Sequence, residues 1–379
     1  MLEIRCSGTP HEIGVTHGQK GRTQVLGSIA FYRQQFQETC GLDWPAVRTE
    51  AERYVGTLER LAPRHLEEIR GIAEGSGVDF FDIVALNVRT EITFGLFTDS
   101  SSSTGGTAGA GADEMPESDG CTSLSWFTGD QEDQSAPSQK KSPSSYSYLA
   151  QNWDWMPAQR ANIVILHITH ASPDLPKIAT VTEAGLLAKT GLNSAGVGGL
   201  PQCIALPIHL ALRRVLESNS RDEAVRALKE TGLAGSGHLL VADAATGGVG
   251  LECTSRWIRE VDMDDVGRVH HTNHLLLLKP EERDVEDSLW LADSKPRLAR
   301  AKELTVGWGG QKGETPSTEL LFEVLKDEQG FPASINRLQS LPQVKTQTLF
   351  TIIMNLVEKS AQVTFGRPTG FTGKTTLSF

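Results

Sequence analysis

Asp119-Gly120-Cys121-Thr122-Ser123 stands where two textures of sequence meet, and that junction limits what the chain can fold into. Before it, apolar residues recur at helical spacing; after it, short runs of β-branched and aromatic residues alternate with turn formers. Between the two, residues 99–118 are Ser, Gly, Thr and Ala with almost no apolar bulk, which predicts a flexible insertion. A second such stretch spans residues 128–147. Helices, then many antiparallel-looking strands, then helices again predict a layered α+β domain.

Leu2 to Cys6 alternates like a strand. Thr9-Pro10-His11-Glu12 carries a helix start, with Thr9 as N-cap, Pro10 in the first turn and Glu12 at the third position. Helical spacing continues through Val25, Ile29 and Phe36, from Pro45 to Leu61, behind Pro63, and from Phe80 to Phe97. Strands are expected over 122–127, 146–151, 163–169 and 178–182, then 238–243, 250–254 and 257–261. Helices are expected over 207–217, 221–231, 286–304 and 318–326, and a closing hairpin over 348–356 and 362–365.

Gly120-Cys121 is also where chemistry is expected. A thiol is a strong nucleophile but is mostly protonated near neutral pH, so it needs a base. Cleavage of the Gly120–Cys121 bond would make Cys121 an N-terminal residue whose own α-amino group, with an ordinary pKa of about 7.7–8.0, is that base. Glycine before the nucleophile suits the cut, since it alone tolerates the strained backbone such an attack demands. The plainer alternative is an Asp-Gly turn followed by a buried cysteine.

Three other clusters could serve such a nucleophile. In Asn152-Trp153-Asp154-Trp155 a carboxylate lies between large aromatics, either as an orienting partner for residue 121 or as a turn residue. His270-His271-Thr272-Asn273-His274 holds three histidines, but nothing obvious completes a zinc sphere. Asn273, an amide donor suited to an oxyanion hole, is the better catalytic candidate there; the plainer alternative is a polar strand end with satisfied histidines. Arg337, in Ser334-Ile335-Asn336-Arg337, either turns inward to pair with Asp154 or lies on the surface. The glycines at 235–237 and 196–199 lack the Lys/Thr and the full spacing of phosphate loops and are expected to be turns.

Charge and cysteine usage exclude other classes. A net charge of −11 with no long basic cluster argues against nucleic acid and anionic membrane surfaces as partners. The five cysteines are scattered with no C-x-x-C, and no secretory leader is evident, so free thiols in a reducing, cytoplasmic location are expected. No C-terminal S-K-L type address closes the chain.

Several blocks, in one order, resemble the acyl-coenzyme A:6-aminopenicillanic acid acyltransferase (isopenicillin N acyltransferase) family of N-terminal-nucleophile hydrolases. They include Gly8-Thr9-Pro10-His11-Glu12-Ile13-Gly14, Leu86-Asn87-Val88-Arg89-Thr90-Glu91, Asp119-Gly120-Cys121-Thr122, Gln151-Asn152-Trp153-Asp154, Gly191-Leu192-Asn193-Ser194-Ala195-Gly196-Val197 and His271-Thr272-Asn273-His274. The resemblance implies a single four-layer αββα domain, made as a proenzyme that cuts itself into residues 1–120 and 121–379, which stay together as a heterodimer. It places Cys121, Asp154, Asn273 and Arg337 on catalytic positions, makes Gly120 and Cys121 the cleavage site, and assigns Thr122 and Ser334 to substrate binding. It implies no cofactor and no metal, with acyl-coenzyme A as a co-substrate, and a small-molecule acyl donor and amine acceptor in fungal secondary metabolism. The alternatives are an amidohydrolase of small N-acyl or aminoacyl amides and an unprocessed, non-catalytic binding module.

Overall fold

The computed structural model describes residues 1–93, 120–129, 145–200, 207–234, 237–254, 257–279, 293–308, 315–339 and 345–379. The expected insertion at 99–118 and the middle of that at 128–147 lie outside these residues. The ends of the latter differ from expectation: Thr128 and Tyr146 face each other as paired strand residues.

Strand β1 (Leu2–Gly8) opens the chain, followed by α1 (Pro10–Lys20), α2 (Arg22–Cys40), α3 (Trp44–Leu61), α4 (Pro63–Ser76) and α5 (Phe80–Asn87), with helical residues again at 89–93. α1 begins at the expected capping box: Thr9 Oγ1 accepts from the Glu12 amide (3.3 Å) and the Glu12 carboxylate accepts from the Thr9 amide (2.8 Å). α1 and α4 meet backbone to backbone. A Cβ on Gly14 would lie 2.1 Å from the Glu68 carbonyl oxygen, and one on Gly71 would lie 2.2 Å from that of His11. Only glycine permits that approach.

The strands after residue 120 form two sheets. The first, in the order β1-β4-β5-β6-β7-β8-β9-β10, contains β4 (Ile163–His170), β5 (Ile178–Glu183), β6 (Thr190–Asn193), β7 (Val197–Leu200), β8 (Gly237–Asp243), β9 (Gly247–Cys253) and β10 (Ile258–Val261). The second, in the order β11-β2-β3-β12-β13-β14, contains β2 (Gly120–Thr128), β3 (Tyr146–Trp155), β11 (Arg268–His271), β12 (Gln347–Asn355), β13 (Ser360–Phe365) and β14 (Gly373–Ser378). Among the described residues every pairing is antiparallel except β1 with β4, which run parallel. The antiparallel character expected from the sequence therefore holds for all but the N-terminal strand.

β2 and β3 pack on β7, β8 and β9. Outside the first sheet lie the N-terminal helices with α6 (Ile208–Leu216) and α7 (Arg221–Thr231); outside the second lie α8 (Ser294–Leu304) and α9 (Thr318–Leu325). The layers are thus α, β, β, α, as the resemblance implies. Sandwiching explains why β2 and β3 are buried along nearly their whole length despite Thr122, Ser123, Gln151, Asn152 and Asp154. Alternation sends Cys121, Leu149 and Trp153 into the core between the sheets, and Leu124, Trp126 and Ala150 into a second cluster beneath α8 and α9.

Two clusters of buried charge are internally paired, which offsets the cost of removing them from water. Arg213 of α6 grips Glu68 of α4 through two nitrogens (3.0 and 2.7 Å) and reaches Glu217 at 3.1 Å. Glu183 at the end of β5 accepts from Arg89 (2.8 Å), Lys189 (3.2 Å), Gln159 (2.9 Å) and the Tyr32 hydroxyl. Burial opposes ionisation of Glu183, but Arg89, Lys189 and the Tyr32 hydroxyl together hold its carboxyl below the usual range. Among the described residues no helix is long and apolar enough to cross a membrane.

Candidate active site

Cys121 is the second residue of β2 and is buried, at 1 % exposure. Its neighbours on β3 are fixed by register: Gly120 faces Asp154, Cys121 faces Trp153 and Thr122 faces Asn152. Asp154 therefore shares a face with Gly120 and Thr122, opposite the side that carries the Cys121 thiol. It flanks the Gly120–Cys121 bond. It lies in a strand, so the alternative of a turn residue does not hold.

The other side of β2 shows how Asn273 reaches this bond. β11 pairs His271 with Ser123 and then ends, one residue short of a pairing with Thr122 and two short of Cys121. The chain turns away at Thr272, pinned by Ser294 at the start of α8: its hydroxyl accepts from the Asn273 amide (2.8 Å) and the His274 amide (3.0 Å). The Asn273 side chain takes the missing ladder position. Its Oδ1 accepts the Cys121 amide at 3.1 Å.

One residue here is not singled out by the sequence. Arg297 of α8 is buried at 1 % exposure, donating from Nη1 to the Cys121 carbonyl (2.5 Å) and Thr122 Oγ1 (3.2 Å), and from Nη2 to Asn273 Oδ1 (2.6 Å). Nη2 also lies 3.3 Å from Asp293 Oδ1. Burial pulls the pKa of this guanidinium down, while the charges at Asp154 and Cys121 push it back up. On the sequence, Arg297 reads as one of several basic residues on a polar helix; the Asp293/Arg297 spacing of four is its sole local hint.

Arg337 turns inward, but Asp293 and not the expected Asp154 is its ion-pair partner. Its Nη1 donates to Thr346 at 2.9 Å. Nη1 also lies 2.7 Å from where a Cβ on Gly120 would be, with Asp154 Cβ at 3.0 Å from the same point. Arg337 and Asp154 thus border Gly120 together. Asp154 Oδ1 accepts from the Thr348 hydroxyl at 2.6 Å. Ser334 is buried, but its hydroxyl donates to the Asn336 carbonyl (2.8 Å) within its own loop. That loop docks on β3, where Asn152 Nδ2 donates to the Ile335 carbonyl at 3.1 Å.

The three histidines are engaged separately. His270 meets Thr305 Oγ1 (2.8 Å), His271 meets Glu252 (2.8 Å) and His274 meets the Ser294 hydroxyl (2.7 Å). Burial holds the imidazoles of His270 and His274 down to about 4. A cavity of about 750 Å³ between α7 and the β9–β10 edge shares no lining residue with the cluster around Cys121.

A family model described as acyl-coenzyme A:6-aminopenicillanic acid acyl-transferase matches residues 140–370. The acyl-coenzyme A:6-aminopenicillanic-acid-acyltransferase 40 kDa form of Emericella nidulans is 32% identical over 383 aligned residues, covering 97% of this chain and 93% of that protein. Among solved structures, the N-acylethanolamine-hydrolyzing acid amidase orthologue of Caenorhabditis elegans aligns at 14% identity and TM-score 0.41 over 62% of this chain and 93% of its own. Penicillin V acylase from Agrobacterium tumefaciens aligns at 12% and 0.41 over 65% and 83%.

Proposed function

This chain belongs to the acyl-coenzyme A:6-aminopenicillanic acid acyl-transferase family, and on that premise we propose that it is a self-processing acyltransferase whose nucleophile is Cys121. The enzyme class follows from the family: acyl groups are transferred to an acceptor or to water. The observation that supports the finer mechanism is the clamp on the Gly120–Cys121 unit. The Cys121 amide rests on Asn273 Oδ1 (3.1 Å), its carbonyl rests on Arg297 (2.5 Å), and Asp154 and Arg337 border the glycine.

Processing is an N-to-S shift followed by hydrolysis. The Cys121 thiol adds to the Gly120 carbonyl, the C–N bond breaks, and the thiol proton ends on the departing nitrogen, leaving a thioester. Water then hydrolyses that thioester, giving a Gly120 carboxylate and a Cys121 with free thiol and free amine. In turnover the amine accepts the thiol proton as Sγ attacks the donor carbonyl. The oxyanion is held by the N–H₂ end of Asn273 and by backbone amides. The amine returns the proton to the leaving group, and an acyl-thioester remains. An acceptor amine, or water, then attacks that thioester, and the thiol is regenerated. Asp154 and Arg337 orient the amine.

The two fragments remain a heterodimer in this scheme, because Glu68–Arg213 and the contacts of Glu183 with Arg89 and Tyr32 cross from one to the other. The donor is a thioester or amide such as an acyl-coenzyme A, and the acceptor a small amine of fungal secondary metabolism in the cytoplasm. 6-Aminopenicillanic acid, in the name of the Emericella relative, is the first acceptor to assay. Product formation with and without added amine separates transfer from hydrolysis.

The deciding experiment is the intact mass of freshly purified, untagged protein under denaturing conditions. Two fragments of 120 and 259 residues, the larger beginning at Cys121, are expected in place of the 41.1 kDa chain. Cys121→Ala should stay whole and inactive. A wild-type chain that never cuts would leave Cys121 without an amine and favour the binding module.

A further inference from the structure

We infer that Arg297 is a positioning residue: its guanidinium decides which end of the Asn273 amide faces Cys121. The inference rests on the self-processing scheme above and adds a member to it.

A primary amide has two ends of similar shape and opposite polarity, an oxygen that accepts and an N–H₂ that donates. The Cys121 N–H alone holds the oxygen end with one ordinary hydrogen bond. Arg297 adds a second donor to the same oxygen: Nη2 reaches Asn273 Oδ1 at 2.6 Å while the Cys121 amide reaches it at 3.1 Å. Guanidinium and peptide nitrogens carry no acceptor. Turning the amide over would therefore set its N–H₂ against two donors, one charged, inside a buried site.

Arg297 is itself held from several directions. Nη1 is seated on the Cys121 carbonyl and Thr122 Oγ1, and Nη2 is close to Asp293 Oδ1. Asp293 is the residue that pairs with Arg337. One planar fork thus spans the nucleophile's carbonyl and the amide beside its nitrogen, a geometry that an ammonium cannot reproduce. After the cut the nitrogen on Asn273 Oδ1 is the α-amine. An amide fixed oxygen-first accepts a hydrogen from that amine, and its N–H₂ end is the donor that the scheme above assigns to the oxyanion.

The test is the rate of self-cleavage, which needs no substrate. Intact mass is followed over time for wild type, Arg297→Lys, Asn273→Ala and the double variant, with the Tm of each measured on the uncut chain. Loss of a charge-assisted buried contact predicts that Arg297→Lys slows cleavage about 10- to 100-fold. With no amide left to orient, the lysine substitution should slow Asn273→Ala by less than about threefold more. A purely structural arginine would instead act equally in both backgrounds and lower Tm in step with the rate. Multiplying effects, or an Arg297→Lys chain that cleaves at the wild-type rate, overturn the inference while leaving the processing scheme intact. A wild-type chain that never cleaves overturns both. Should Arg297→Lys fail to fold, Asn273→Asp, which has two equivalent oxygens, with and without Arg297→Gln, reads the same coupling. Equal slowing by Arg297→Gln with asparagine or aspartate at 273 refutes it.

Discussion

Arg213→Met tests whether the buried ion pairs hold the N-terminal helices to the rest of the chain. Arg213 has no exposed surface and Glu68 shows 1 %, and the two share hydrogen bonds of 3.0 and 2.7 Å. Methionine keeps most of the apolar stem, so lost packing is the smaller term. The larger is a carboxylate left buried without its cation, for which removal of one partner costs about 3–5 kcal/mol. Glu217 keeps His65 at 3.1 Å and adds little. The cost should depend on pH. Burial already raises the Glu68 carboxyl above its ordinary value of 4.5, against the pull of Arg213, and without the arginine it rises further. A raised carboxyl stabilises fully below its unfolded pKa and loses that contribution as pH climbs through the folded one. Urea unfolding of the full chain should thus show a larger Arg213→Met penalty at pH 8 than at pH 5. Glu68→Leu/Arg213→Met should recover at least half of it, since an apolar pair leaves no stranded charge. A penalty under about 1 kcal/mol at pH 8, or a double variant as weak as the single, would refute the electrostatic account.

Three further outcomes are expected. Glu91 caps the Ile208 amide at 3.0 Å and burial pushes its carboxyl up to about 7, so wild type loses stability as pH rises through that value while Glu91→Gln does not. The stability gap between them, read by urea unfolding, should widen by up to about 3 kcal/mol from pH 5 to pH 8. Gly71→Ala would set a Cβ 2.2 Å from the His11 carbonyl oxygen and should cost about 1–3 kcal/mol in the same assay, because backbone cannot step aside like a side chain. Thr348→Val removes the 2.6 Å donor to Asp154 together with the acceptor of the Arg337 amide (3.0 Å) and should slow self-cleavage about tenfold by intact mass.

Much of this architecture was legible because local chemistry and global fold agree. Thr9, Pro10 and Glu12 start α1 by capping alone, and the turn signals around β4 to β9 mark a sheet whose neighbours mostly follow in sequence. β14 was missed because Gly373–Ser378 is too polar for a strand signal; backbone pairing with β13 defines it. The parallel place of β1 was hidden because it depends on a partner more than 150 residues away. At the site, Gly120, Cys121, Asp154, Asn273 and Arg337 were found as types with a chemical use, and the structure gathers them around one peptide bond. Arg297 and Asp293 escaped, since an arginine on a polar helix looks solvated until the helix is docked. The sequence also could not say which end of Asn273 would meet Cys121; that follows from two donors converging on one oxygen.

The parallel seam between β1 and β4 bears on how a cut molecule would age. Its seven register pairs, closed by the Ala171 amide on the Gly8 carbonyl at 2.7 Å, join residues on opposite sides of Gly120. Two polypeptides stitched through a shared sheet cannot trade partners by simple dissociation, since release would strip the outer strand and uncover the apolar floor beneath the N-terminal helices. Swapping of short chains between molecules should proceed no faster than global opening. Mixed isotope-labelled and unlabelled preparations would then keep their original pairings for as long as the fold survives, and each molecule would carry for life the segment it was born with.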